Sequence, residues 1–300
     1  MKRLKIYILL ALILLVFIHG TGCSQFFRRP REQNQQQQQQ QKKDPPKSLL
    51  SMEEQTDSII KQIQNIKEQR QKIEKQQAQD NGLAQKTEQQ GQQEQQEKEG
   101  QESEKQGQQK KQGQGEGQQE QGKQQSRQQK KPEIDWTGFD TKIQALHSQW
   151  NSFEPQAKRD GAGNRLISDF EVQLDALTRQ VTARNESQTL LAANKLYQYF
   201  PKFLNLYKHH APPECKEVKY YVQQVILYGQ EDDWENAEQL LPDIRDAWER
   251  AKGKMQTPDK NLNEKIDYAV DDFIRVVGQK DLVLVKLKAD ILLKNLQTIK

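Results

Sequence analysis

The sequence predicts an all-α protein. A helical bundle over residues 133–300 is made of a duplicated three-helix unit with a connecting helix, and a long disordered Gln-rich tether precedes it. Three observations carry this expectation. Apolar residues in 133–300 recur at three- and four-residue intervals, with no alternating strand pattern. The four tryptophans form two pairs with the same spacing of 14 residues, Trp136 with Trp150 and Trp234 with Trp248. The segment before residue 133 is dominated by Gln, Glu, Lys and Gly and loses its large apolar residues after Leu83.

The chain opens with Lys2, Arg3 and Lys5, followed by an unbroken apolar run from Ile6 to Ile18. That run is short for a membrane span, which needs about 20 apolar residues. Gly20, Thr21 and Gly22 then lead to Cys23. A basic start, a short apolar core and small residues before a cleavage point describe an export signal over 1–22. This stretch resembles the signal peptide and lipobox of bacterial lipoproteins. The resemblance implies that Cys23 carries the lipid and becomes the mature N-terminus. It also implies a protein held on the outer face of the cytoplasmic membrane of a Gram-positive-type bacterium. Gly20 departs from the lipobox pattern, where leucine is commonest three places before the cysteine. Phe26 and Phe27, followed by Arg28, Arg29 and Arg31, suit an anionic membrane surface, and equally a solvated basic run.

Composition bounds the rest. The chain has 46 basic and 42 acidic residues. Removal of Lys2, Arg3 and Lys5 with the signal leaves it close to neutral, which offers no case for nucleic-acid binding. Of the two cysteines, one is the lipidation site, so Cys215 has no intrachain disulfide partner. Residues 23–132 read as lipid anchor and tether, because so polar a segment cannot bury enough surface to offset its ordering entropy. Flexible-chain scaling gives such a tether an average span of about 55 Å. One helix is expected inside it, over 48–79: Met52, Ile59, Ile66 and Ile73 recur every seven residues, and Ser51 with Glu54 fits a capping box. It fits a coiled-coil seam, a helix docking on the C-terminal domain, a membrane-surface helix or a lone helix.

The duplication extends past the tryptophans. Trp136, Ile143, Leu146, Trp150 and Phe153 match Trp234, Leu241, Ile244, Trp248 and Ala251 at a shift of 98. Phe170, Leu174, Leu177 and Val181 match Ile266, Val270, Phe273 and Val277 at a shift of 96. Asn185 and Asp281 then stand at equivalent capping positions. Ala193, Leu196 and Phe200 match Ala289, Leu292 and Leu296. The units run over about 136–207 and 234–300, with a connecting helix over about 214–228. Pro155 is expected to end the first helix, Pro201 to kink or break its helix, Pro242 to kink its own, and Gly229 to close the connecting helix. The four tryptophans are expected to be structural core.

The stretch Asp233-Trp234-Glu235-Asn236-Ala237, with Trp248 and the closing helical hairpin, resembles a small α-helical domain family of Gram-positive envelope proteins. The resemblance covers 233–300 and, less closely, 136–207. It implies a helical fold and an envelope setting, and brings no catalytic residue with it.

Residues able to carry chemistry are few. His209, His210, Glu214 and Cys215 include metal-ligating types, but two prolines intervene and no zinc spacing is matched. His147 lies beside an apolar stripe. There is no phosphate-binding glycine loop and no nucleophile signature. The sequence therefore leads to a non-enzymatic envelope lipoprotein without a cofactor. Its helical domain is expected to contact an envelope protein on a flexible tether, with the membrane held through Cys23. The alternatives are a metal- or haem-binding envelope protein, using His209, His210 or Cys215, and glycan or peptidoglycan binding through exposed aromatics.

Overall fold

The structure, a computed structural model, describes residues 42–99 and 131–299, with side chains for 42–79 and 131–299. Segment 1–22, Cys23 and residues 100–130 lie outside the described residues. Every regular element among the described residues is a helix, so the chain is all-α. Two compact units result. One contains the residues up to Ser58 and from Gly138 onward; the other is Ile59–Thr137.

Helix α1 (Lys47–Glu99) is longer at both ends than the heptads imply. It opens behind Pro45 and Pro46, where the Leu50 amide donates to the Pro46 carbonyl at 3.2 Å. The capping box at Ser51 is therefore not used, and Ser51 lies one turn inside. Nor does the helix stop near residue 79. Gln, Glu and Lys are good helix formers and no proline interrupts 47–99, so part of the expected tether is regular helix. Leu49, Met52, Thr56, Ile59, Ile60 and Ile63 are fully buried, while Ile66 and Ile73 are partly exposed. Within the smaller unit, Arg70 Nε donates to the Pro132 carbonyl at 2.8 Å, and Lys131 pairs with Glu74 at 2.6 Å.

In the larger unit, α2 (Trp136–Arg159) and α3 (Asn164–Thr182) are joined by a turn at Gly161, whose φ of 104° suits glycine. Pro155 does not end α2; the helix carries it for one more turn, on an exposed face. The third helix breaks as expected. α4 (Glu186–Tyr197) is followed by α5 (Phe200–Leu204), with Pro201 in the first turn of α5, where its missing N–H costs nothing. The same device separates α7 (Trp234–Gln239) from α8 (Leu241–Lys254) at Pro242. α9 (Lys260–Val277) and α10 (Leu282–Leu296) close the chain.

The connecting helix α6 (Glu214–Gln230) is the centrepiece, packing on α4 and α5 as well as on α7, α8 and α10. Gly229 lies within it and does not close it. A Cβ there would stand 2.9 Å from the Trp234 ring, so glycine serves the close approach of α7. On one side of α6, Trp150 stacks on Phe170 with centroids 4.4 Å apart, and Phe203 packs against both rings. On the other, Trp234, Trp248, Val270, Phe273 and Val285 share one apolar cluster with Val218, Val222 and Val225 of α6. Asn194 of α4 donates to Gln224 Oε1 of α6 at 3.0 Å inside the core.

Most positions paired by the 98- and 96-residue shifts are buried in both halves. The helices α4 and α10 are capped alike. Asn185 accepts from the Gln188 amide, and Asp281 accepts from the amides of Val283 and Leu284. Each cap follows a left-handed residue, Arg184 with φ 54° and Lys280 with φ 55°. Asp232 with φ 59°, before the cap Asp233, repeats the arrangement at α7. Two pairs depart from the pattern. Leu241 is only partly buried against Ile143, and Trp136 is partly exposed while Trp234 is buried. Trp136 is the first residue of α2, and Phe139 one turn later takes the buried place.

Candidate functional site

The most elaborate polar arrangement in the larger unit joins the segment 42–58 to the helical domain. Its apolar part is Leu49 and Met52, fully buried on one face of α1 together with Thr56, whose hydroxyl donates to the Met52 carbonyl at 2.9 Å. Its polar part begins at the chain entry. Lys42 Nζ donates to the Asn205 carbonyl at 2.6 Å, and the Lys208 amide donates to the Lys43 carbonyl at 2.8 Å. Lys43 also pairs with Asp160 at 3.2 Å. Ser51 Oγ accepts from Gln149 Nε2 at 2.9 Å. Two residues on, Glu53 accepts from the buried Tyr197 hydroxyl at 3.1 Å and pairs with Lys216 at 2.5 Å. Asp57, another turn along the same face, pairs with Lys219 at 2.5 Å. Lys219 lies 4.6 Å from the Tyr197 ring centroid, so Tyr197 ties both ion pairs together.

The local sequence explains the placement. Glu53 and Asp57 are four residues apart, hence on one helical face; Lys216 and Lys219 are three apart on the first turns of α6. Burial pushes the Tyr197 hydroxyl well above its ordinary value, and the charges of Glu53 and Asp57 push the same way. Tyr197 therefore remains a protonated donor.

Beside the entry point lies a second cluster. Lys254 of α8 pairs with the buried Glu214, and Asn205 Nδ2 reaches the same oxygen at 3.4 Å. Burial would raise the Glu214 carboxyl, but the bond and charge of Lys254 outweigh it and hold it below 4.5. His209 is half-buried and His210 exposed. Burial and the positive charge of Lys42 lower the His209 imidazole. Cys215 is buried, and desolvation pushes its thiol up to about 12, which makes it inert as a thiolate at neutral pH. Among the described residues no group of three His, Cys, Asp or Glu side chains could hold a metal ion. His147 bonds Thr178 at 2.8 Å. The tyrosines between residues 197 and 228 divide: Tyr197 and Tyr207 are buried, while Tyr199, Tyr220, Tyr221 and Tyr228 are half-buried.

Sequence reasoning missed Glu53, Asp57, Lys216 and Lys219. The i, i+4 carboxylates were visible, but nothing in the sequence linked them to lysines about 160 residues away. No known protein family matches this chain, and neither characterised proteins nor solved structures yield a match. The site is therefore read from its own geometry. It is a clasp: the start of an amphipathic helix, with one face buried, held to the helical domain by the ion pairs of two acidic side chains. Among the described residues no helix is long and apolar enough to cross a membrane.

Proposed function

We propose that the protein is a lipid-anchored envelope protein whose helical domain serves as an interaction module, built by diverged duplication of a three-helix unit. The observation that carries the anchoring is Cys23, set behind a basic start and a short apolar run. The clasp gives the anchor a structural consequence. The domain is fastened from Lys42 onward, so the spacer behind Cys23 is residues 24–41 and not the whole Gln-rich stretch. Its reach is at most about 65 Å fully extended. The domain then works close to the bilayer, where confinement raises its effective concentration towards a neighbouring partner. Duplication is supported by the shared burial pattern and by the left-handed residue that precedes both Asn185 and Asp281.

Lipid labelling in the native host tests the anchor. Cys23→Ala is expected to abolish labelling and to shift the protein from the membrane fraction to the soluble or uncleaved pool. Labelling that persists in this variant would rule out Cys23 as the acylated residue.

A further inference from the structure

The last helix carries two apolar stripes. Val285, Ala289, Leu292 and Leu296 face the core. Val283, Leu284, Leu287 and Ile291 stand on the opposite side, with 71%, 37%, 54% and 41% of their surface exposed. At 100° per residue these four span about 100° of the helix, an apolar face over residues 283–291 of Leu282–Leu296. Lysines surround it: Lys280 and Lys294 at its two ends, Lys286 and Lys288 along its two edges. Two carboxylates lie nearby. That of Asp281 is spent on capping amides, and Asp290 stands at one edge. Asp272 of α9 takes up Lys288 at 2.5 Å.

We propose that this face of α10 docks on an anionic lipid surface, the four apolar side chains entering the headgroup region and Lys280 and Lys294 at its two ends meeting lipid phosphates. An interfacial helix has this composition: apolar side chains on one face with basic residues at its margin. A second copy fits poorly. Antiparallel pairing about Leu287 would set Lys280 against Lys294 and Lys286 against Lys288, like against like. One helix stripe also falls short of the roughly 800 Å² per partner that a stable dimer buries. The proposal deepens the anchoring reading, because a spacer of residues 24–41 holds the domain within reach of the bilayer.

The test uses the full chain with Cys23→Ser and Leu287→Cys, an environment-sensitive fluorophore being attached at residue 287. It is mixed with vesicles of phosphatidylglycerol or of phosphatidylcholine. A blue shift is expected with phosphatidylglycerol, reversed by high salt, and none with phosphatidylcholine. The same label placed through Val172→Cys, on exposed α3, should stay unshifted. Lys280→Glu with Lys294→Glu should weaken phosphatidylglycerol binding by roughly 30-fold or more, the worth of two lysines near an anionic surface. No shift at 287, an equal shift with both lipids, or an equal shift at 172 overturns the proposal. A shift without vesicles that grows with protein concentration assigns the face to a second copy and also overturns it. The Cys23→Ser background carries no acyl chain, so failure here is separate from failure of the lipid-labelling test.

Discussion

Trp150 and Trp248 fill matching places and differ in one hydrogen bond. Trp248 Nε1 donates to Asp267 at 2.6 Å, while the buried Trp150 Nε1 meets no acceptor among the described residues. Phenylalanine at 150 removes an unsatisfied donor; at 248 it removes a made bond. Trp248→Phe should therefore cost about 1 kcal/mol more than Trp150→Phe in urea unfolding. Equal costs would show that the bond contributes nothing net. The left-handed residues supply a prediction of opposite sign. Lys280 holds φ 55° and is exposed, so its side chain strains the turn. Lys280→Gly should raise stability by about 1 kcal/mol, seen as a higher denaturant midpoint. The tryptophan pairing was legible from spacing alone. The difference between the two indoles was not, because Asp267 belongs to the following helix.

At the scale of elements, the clasp makes α1 two things in one helix, a docked start in the larger unit and a continuation in the smaller. Glu53 and Lys216 are partly buried, so removing one member leaves a charge or hydroxyl without its partner. Tyr197→Phe should weaken the docking of residues 47–58 by about 1–2 kcal/mol. Hydrogen exchange is the direct measurement. Amides of 47–58 should exchange faster while those of α9 and α10 keep their rates; unchanged protection would mean that the apolar face alone holds the segment. The heptad of Met52 and the isoleucines announced a helix here. It did not announce the clasp, since a period of seven reports an apolar stripe and says nothing of what covers it. In α10 the buried stripe was evident from its spacing, while the exposed one shows only once the packing of the helix is known.

For the whole molecule, acidity acts where the chain enters the domain. Hydrogen bonds from Tyr207 and Lys43 hold the Asp160 carboxyl below 3.8 although burial opposes them. Glu214 and His209 are likewise held below their ordinary 4.5 and 6.5. All three bind protons more readily in the unfolded chain, so each contributes stability that is complete above its ordinary value and is lost as pH falls below it. Thermal stability should therefore decline first below about pH 6.5, through His209, and more steeply below about 4.5. Faster exchange of 42–58 should accompany the decline. A melting temperature independent of pH between 7 and 4 would contradict this linkage.

The sequence by itself determined the all-α class, the helix faces, the proline breaks at 201 and 242 and the caps at Asn185 and Asp281. Each of these depends on residues within a few turns of one another. Only the tertiary structure decided that Gly229 serves a ring from the next helix, that Pro155 is tolerated on an exposed face, and that Glu53 and Asp57 meet Lys216 and Lys219. It also decided that the chain first meets the helical domain at Lys42. The contacts of Lys42, Glu53 and Asp57 join residues about 160 apart in the chain, and all of these outcomes follow from how the helices pack, which the local periodicity of any one helix does not encode.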